Sequence, residues 1–192
     1  MNQPDLIIAL QQGDNEAFKK LIDEWQDMVY NTALGIIQNE DDADEITQEV
    51  FIQVFQSIRS FKGDAKISTW LYRITISKAL DYLKKQQRKK RFGFVDYFWS
   101  GNKNDVDEGK EFHHPGVVME NKEMASQLFK AMKQLPNNQR IAFTLHKLEA
   151  QKYGDIAVIM NISLQATESL IARAKTNLKK IVQELTKTKT SL

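Results

Sequence analysis

The chain contains no cysteine among its 192 residues, which excludes disulfide bonds and thiolate chemistry. Only three prolines and eight glycines interrupt it, so long helices are possible. No run approaches eighteen consecutive apolar residues, and the N-terminus has neither a basic flank nor a small-residue cleavage site. We therefore expect no membrane span, no signal peptide and a cytoplasmic location.

Residues typical of enzyme active sites are also scarce. The three histidines have no partners at metal-ligand spacing, and the sequence has no glycine-rich phosphate loop and no Ser/His/Asp or Cys/His set. The acidic cluster at 40–49 lacks the spacing of an EF-hand. We expect a protein that is not an enzyme and that binds no cofactor and no metal.

Charge is segregated along the chain rather than in excess. With 27 basic and 25 acidic residues the net charge is only +2, yet residues 40–49 hold six acids and no base. Residues 84–91 hold six bases and no acid. This segregation predicts two different contact surfaces, with solvated helix faces as the alternative.

Apolar residues recur three or four positions apart, which predicts an all-α fold of two helical domains joined by an irregular linker. Four helices are expected in a first domain at 1–92, the last running from about Ser68 to about Lys90. Its predicted apolar stripe consists of Tyr72, Ile76, Leu80 and Leu83. Asp14 is placed to cap the second helix, after a stop at Gly13.

Helical periodicity is lost at 93–119, where glycine, proline and mixed charge predict the linker. Its aromatic residues are expected to pack on a domain or on a partner. A second helical domain is expected at 120–185, and a frayed tail at 186–192. Within this domain a short helix, a tight turn at Asn161 and a longer helix capped by Ser163 form a helix-turn-helix pattern.

A helix-turn-helix places exposed residues of its second helix in the DNA major groove. Arg173 is suited to contact guanine or a phosphate. Glu168 would repel phosphate unless it accepts a hydrogen bond from cytosine or pairs with a neighbouring basic side chain. The alternative is a structural helix pair without DNA. The exposed positions are predicted to be Gln165, Glu168, Ser169, Ala172, Arg173 and Lys175.

The stretch "FKGDAKISTWLYRI" at 61–74 combines aromatic rings with an arginine and leads into the basic cluster. Stacking rings beside a positive groove are the parts that hold single-stranded nucleic acid. Tyr72 falls on the apolar stripe and is predicted to be core. Trp70 falls off that stripe, which favours its exposure.

Two long motifs, in this order, resemble a known family. "DDADEITQEVFIQVF" followed by "FKGDAKISTWLYRITISKALDYLKK" looks like region 2 of the bacterial sigma-70 factors. "LPNNQRIAFTLHKLEAQKYGDIAVIMNISLQATESLIARAKTNLKK" looks like region 4, and the beginning and the size resemble the extracytoplasmic function (ECF) subgroup.

The resemblance implies a transcription initiation factor that binds core RNA polymerase, through its β′ coiled coil and its β subunit, and promoter DNA. It also implies an anti-sigma partner. The residues implied to bind polymerase are Asp41, Asp42, Asp44, Glu45, Gln48 and Glu49. The residues implied to recognise and open the -10 element are Phe61, Lys62, Gly63, Asp64, Lys66, Ser68, Trp70, Arg73, Ser77, Lys78, Lys84 and Arg88. The six exposed positions of the last helix are implied to read the -35 element.

The chain departs from the family pattern in three respects. These departures bear on which promoter sequence is recognised and not on the function. Ser77 stands where the family often has asparagine, Glu168 and Leu170 replace common basic residues, and Ala172 replaces a bulky one. The alternative function is a stand-alone helix-turn-helix regulator or a helical adaptor that acts without polymerase. The relative arrangement of the two domains is not determined by these residues.

Overall fold

The computed structural model describes the backbone of residues 3–100 and 122–190, and the side chains of residues 4–89 and 127–187. These ranges are helical and contain no β-strand, as the sequence predicts, and no helix in them is long and apolar enough to cross a membrane. The helices are α1 (Gln3–Gln11), α2 (Asn15–Ile37), α3 (Glu40–Ser57), α4 (Ile67–Ser100), α5 (Lys122–Lys133), α6 (Asn137–Phe143), α7 (Tyr153–Met160) and α8 (Leu164–Thr190).

Side-chain caps begin the first long helices. The Asp14 carboxylate accepts from the backbone N–H groups of Glu16 and Ala17, at 2.8 and 3.2 Å, as predicted. Gly13, at φ +82°, supplies the left-handed turn before it. The Asn39 side chain accepts from the N–H of Asp42 at 3.0 Å, which fixes where α3 and its acidic first turn begin.

In the first domain, α2, α3 and α4 pack against one another, and α1 covers one end. Tyr72 is buried, as predicted, but the rest of the predicted stripe of α4 is wrong by one residue. Ile76, Leu80 and Leu83 are only half-buried. The fully buried face runs through Ile67, Leu71, Thr75 and Ala79. Counting apolar residues misses this buried face because it contains the polar residue Thr75. The Thr75 hydroxyl donates to the Leu71 carbonyl at 2.8 Å, so it can be buried without a hydrogen bond to water.

Two helices continue beyond the ends predicted from the sequence. The helix α4 continues to Ser100, well into the predicted linker, and α8 continues to Thr190, into the predicted frayed tail. No proline occurs in either extension, and a single interior glycine such as Gly93 costs a helix only about 1 kcal/mol. The remainder of the predicted linker up to 119, the side chains of its aromatic residues, and residues 191–192 lie outside the described parts.

The second domain consists of α5 to α8. A π-helical turn at Thr144–Leu148 ends α6, where the N–H of Glu149 donates to the carbonyl of Thr144 at 3.1 Å. In the helix-turn-helix, Asn161 is left-handed at φ 53°, and Ser163 Oγ accepts from the N–H of Ala166 at 3.1 Å. Both features are as predicted.

The two domains share one apolar core. Every residue of α2 from 32 to 37 is buried, around the whole circumference of the helix. Such burial requires cover on two sides: α3 and α4 pack on one side of α2, and α6 with its π-helical turn packs on the other. Buried residues of the second domain that join this core are Ile141, Ala142, Leu145, Ile156, Ile159 and Ile171.

Candidate nucleic-acid and protein interfaces

The six predicted polymerase-binding residues lie on α3, and all but the half-buried Asp42 are exposed. They occupy two faces. Asp41, Asp44 and Gln48 point away from the domain, at a spacing of three and four residues. The other three, Asp42, Glu45 and Glu49, face α4.

The acids on the second face have partners within the domain. Glu49 Oε2 lies 3.3 Å from Lys78 Nζ, so a predicted polymerase-binding residue pairs with a predicted DNA-binding one. Burial, together with a hydrogen bond to Asp42, raises the pKa of Tyr82 to about 12. On the outward face, Asp44 and Gln48 are exposed to solvent and accessible to a partner.

An apolar groove of about 540 Å³ continues the outward acidic face, between α2 and α3. Ile52 and Phe55 are 57% and 55% exposed, and Phe55 packs edge-on against Phe18 with ring centroids 5.2 Å apart. Phe51 lies four residues earlier on the same side of α3, but only Phe51 is buried. Large exposed apolar residues next to an acidic stripe are typical of a protein-docking surface, and the sequence reasoning missed this part of it.

The loop at 61–66 is exposed and anchored at its first residue. Gln11 Nε2 donates to the Phe61 carbonyl at 2.8 Å, which ties the loop to α1. Gly63 is left-handed at φ +78° with open space around it. The four predicted loop contacts after Phe61 are exposed: Lys62, Gly63, Asp64 and Lys66.

Trp70 is half-buried rather than exposed. Its ring packs on Phe61 with centroids 4.8 Å apart and planes tilted by 33°. The two aromatic residues predicted for the -10 site thus form one stacked pair at the beginning of α4, beside the open loop. Spacing within one helix did not predict this contact because Phe61 belongs to the loop before it.

The remaining predicted -10 residues follow α4. Ser77, Lys84 and Arg88 are exposed, whereas Ser68 and Lys78 are half-buried. Arg73 is exposed but already hydrogen-bonded within the protein. Its Nη2 donates to the carbonyl of Val158 at 2.6 Å, and its Nε donates to the carbonyl of Ile159 at 3.4 Å. Both carbonyls lie near the C-terminal end of α7, where the helix dipole favours a cation, and the Val158 carbonyl also accepts from the N–H of Asn161 at 3.3 Å.

A partly buried polar cluster lies next to this contact. The Tyr72 hydroxyl donates to Glu149 Oε2 at 3.3 Å and accepts from Gln151 Nε2 at 3.2 Å. Burial raises the pKa of Glu149 to about 7, and the hydrogen bond from Tyr72 only partly offsets that rise. Burial and the neighbouring Glu149 also raise the pKa of Tyr72.

The predicted -35 reading residues share one face of α8, within an arc of roughly 160° at 100° per residue. Five are exposed and Ser169 is half-buried. The apolar period of the sequence predicts Thr167, Ile171, Ala174, Leu178 and Ile181 on the opposite face; the first four are buried and Ile181 is half-buried. The helix therefore presents a continuous polar surface over a fixed apolar base.

The sequence matches known families in two blocks. Residues 21–89 match the family model Sigma-70 region 2, and residues 125–178 match the model Sigma-70, region 4. The ECF RNA polymerase sigma-E factor of Escherichia coli strain K12 is 32% identical over 180 residues, which cover 94% of each chain. The chain belongs to the ECF group of the sigma-70 family. The RNA polymerase sigma-H factor of Pseudomonas aeruginosa is 29% identical to this ECF factor over 184 residues, covering 94% of this chain and 93% of the relative.

Solved structures agree with the fold of this ECF factor. CnrH, in complex with the cytosolic domain of CnrY, superposes with a TM-score of 0.67 at 18% identity, over 95% of this chain and 97% of that one. The sigma factor RpoE of Bartonella quintana, in complex with the anti-sigma factor NepR, gives 0.61 at 19% identity over 86% and 96%. The chain is thus a sigma factor, which directs RNA polymerase to promoters, rather than a stand-alone regulator.

The raised pKa of Glu149 predicts a pH-dependent stability. A carboxyl whose pKa is higher in the folded chain stabilises the fold most below its unfolded value, and this stability is lost as pH rises through about 7. Between pH 5 and pH 8 we expect the free energy of unfolding to fall by on the order of 2 kcal/mol through this group. Thermal melting of wild type and Glu149→Gln across that range measures it, and the difference between the two isolates Glu149 from other titrating groups. Parallel pH profiles for the two proteins would contradict the assignment.

Proposed function

We propose that this ECF factor divides promoter initiation among three surfaces. The outward face of α3 with its apolar groove docks core polymerase, and the loop at 61–66 with α4 opens and holds the -10 element. The exposed face of α8 reads the -35 element. The domains extend over 1–92 and 120–185 with a linker at 93–119, and the end of α4, up to Ser100, forms the first part of that linker. The observation that carries the proposal is that one chain presents an acidic and apolar protein-docking face together with two separate polar or basic faces suited to DNA.

The docking role is supported by the shape and charge of the α3 surface. Asp41, Asp44 and Gln48 continue along the helix into Ile52 and Phe55, so an acidic end adjoins an apolar end. A helical partner with basic and apolar residues would match both ends at once. The β′ coiled coil of core polymerase is the partner that the family resemblance implies.

The -10 role is supported by the stacked pair Phe61 and Trp70 beside a loop with open space at Gly63. An unpaired base must exchange its stacking in the duplex for a new partner, at a cost of a few kcal/mol. An aromatic pair at the mouth of a loop offers that partner. Exposed cations along α4 then hold the backbone of the opened strand, Lys84 and Arg88 among them.

The -35 role is supported by the reading face of α8, which follows the turn at Asn161 as a recognition helix does. Arg173 and Lys175 are its cations, and Glu168 is exposed among them. A carboxylate on this face favours cytosine, through its amino group, over a phosphate contact. Specific contact should therefore depend strongly on Arg173.

We further propose that the factor acts in the cytoplasm, where polymerase and the chromosome are, and that it has no catalytic activity. An anti-sigma partner is expected as well. The fold it shares with a sigma factor solved in complex with an anti-sigma factor supports that expectation.

Charge reversal at Asp44 of the outward face and at its neighbour Glu45, which faces α4, tests polymerase docking. Asp44→Lys with Glu45→Lys should reduce co-purification with core RNA polymerase at least about tenfold, because like charges across an interface cost several kcal/mol. The matched control is Asp23→Lys with Glu24→Lys, two exposed acids on α2. Binding by both variants at the wild-type level, with circular dichroism unchanged, would contradict the docking assignment.

Trp70 tests the opening step. Trp70→Ala should leave closed-complex formation nearly intact and slow the appearance of permanganate-reactive thymines, because the stacked pair with Phe61 is lost. Trp70→Phe keeps a ring at that position and should retain most of the opening rate. If Trp70→Ala opens DNA as fast as wild type, the ring is structural only.

Arg173 tests reading of the -35 element. Arg173→Ala should weaken holoenzyme binding to duplex promoter by about 1–3 kcal/mol and relax the preference at one base pair. Lys180→Ala, at an exposed position two turns further along α8, serves as the control. Binding across a library of -35 sequences measures both effects. A loss that is equal for every sequence would show that Arg173 holds a phosphate instead.

A further inference from the structure

The loop at 61–66 is hydrogen-bonded to the rest of the described chain only at its two ends. The N–H of Phe61 donates to the turn before the loop, and the carbonyl of Lys66 accepts from the first turn of α4. Between these ends, residues 62–65 make no hydrogen bond within the described parts of the chain. A segment without hydrogen bonds of its own takes its position from the residues that hold its ends.

The first end of the loop is held by Gln11 of α1, which lies 50 residues earlier in the sequence. Its Nε2 donates to the Phe61 carbonyl at 2.8 Å and to the Ile58 carbonyl at 3.4 Å. These two carbonyls flank the 3₁₀ turn Ile58–Ser60. Both partners are acceptors, so only the amide nitrogen of Gln11, with its two hydrogens, can face them. One side chain therefore clamps the turn and the beginning of the loop together.

Gln11 is itself fixed independently of the loop. Leu6 and Leu10 bury α1 against the first domain, at 7% and 3% exposure. Just after Gln11, the N–H of Gly13 donates to the Leu10 carbonyl at 3.0 Å, and Asp14 then caps α2. The end of α1 is thus joined to the core on one side and to α2 on the other. The amide contact adds a link to the loop and is not what keeps α1 in place.

The clamp determines where the aromatic pair beside the loop lies. Because both the N–H and the carbonyl of Phe61 are hydrogen-bonded, its backbone is fixed on both sides of its Cα. Its ring is thereby directed onto Trp70, at 4.8 Å between centroids. Trp70 belongs to α4, so the pair joins two elements whose relative position depends on the Phe61 backbone.

We infer that Gln11 is a positioning residue for the -10 loop. Its amide holds Phe61 so that the stacked pair and the loop that follows are in place to receive an unpaired base before the DNA opens. A preformed site does not have to be ordered during binding, which strengthens capture of the base. The inference rests on the proposed function for what the loop receives. It gives a role in promoter opening to α1, which precedes the residues 21–89 that match the region 2 family model.

Two substitutions remove the clamp while preserving the size of the side chain. Gln11→Met keeps the length and the helix propensity but has no donor. Gln11→Glu keeps the shape and places carboxylate oxygens against two carbonyls. The matched controls are Gln12→Met and Gln12→Glu, the same changes at the adjacent exposed residue. We expect all four variants to retain the helical circular dichroism of the wild type, because Leu6 and Leu10 still bury α1.

Binding of single-stranded DNA by the holoenzyme tests the inference. The probe is an oligonucleotide with the non-template -10 sequence of a promoter that the wild-type factor selects from a genomic library. Abasic nucleotides introduced one at a time identify the captured base, whose loss should weaken wild-type binding by about tenfold or more. Both Gln11 variants should bind the intact strand about threefold to tenfold more weakly than wild type does. They should bind the strand that lacks the captured base as well as wild type does.

Three results would count against this assignment. An abasic penalty at the captured base that is the same for wild type and both Gln11 variants would overturn the positioning role. An equal loss of binding for every oligonucleotide, or the same loss in the Gln12 variants, would also overturn it, because it would show a general effect on the fold or charge. If no abasic position weakens wild-type binding, the proposed -10 role of the loop fails, and the inference fails with it.

Discussion

The approach of the π-helical turn onto α2 at Gly35 determines how the rest of the chain is arranged. Because residue 35 has no side chain, the side chains of Thr144 and Leu148 reach the backbone of α2 directly, and residues 32–37 are all buried. That burial joins the two domains into one apolar core. It also brings Glu149 to Tyr72 and the end of α7 to Arg73, so the polar contacts between the domains depend on this one close approach.

The packing of the two domains leaves the face of α3 that we propose for polymerase docking exposed, and it covers part of the surface that we propose for the -10 element. Asp44, Gln48 and Phe55 remain exposed on the far side of α3, whereas Arg73 is bonded to helix carbonyls. On the proposed assignment the two DNA surfaces must move apart to contact both elements, because about 25 base pairs of duplex at about 3.4 Å per pair span about 85 Å.

The sequence predicted the features that depend on local chemistry. Helix caps at Asp14 and Ser163, the left-handed turn at Asn161 and the buried face of α8 are short-range consequences of residue type and spacing. The stacking of Trp70 on Phe61, the exposure of Phe55 and the occupation of Arg73 depend on elements that meet only in three dimensions, so periodicity within one helix could not show them. The sequence predicted ends for α4 and α8 that precede the observed ones. Loss of the amphipathic pattern marks the end of a helix less reliably than a proline does.

The distance between the two domains that we propose to read DNA tests most directly whether they pack together in the free chain and separate on the promoter. Fluorophores on cysteines introduced at Asp81 of α4 and Thr176 of α8, both exposed, report it by energy transfer in the full-length chain. The account predicts high transfer in the free factor and a separation that lengthens by tens of ångströms, toward about 85 Å, when core polymerase and promoter DNA are added. Low transfer in the free factor, or no change on forming the promoter complex, would contradict it.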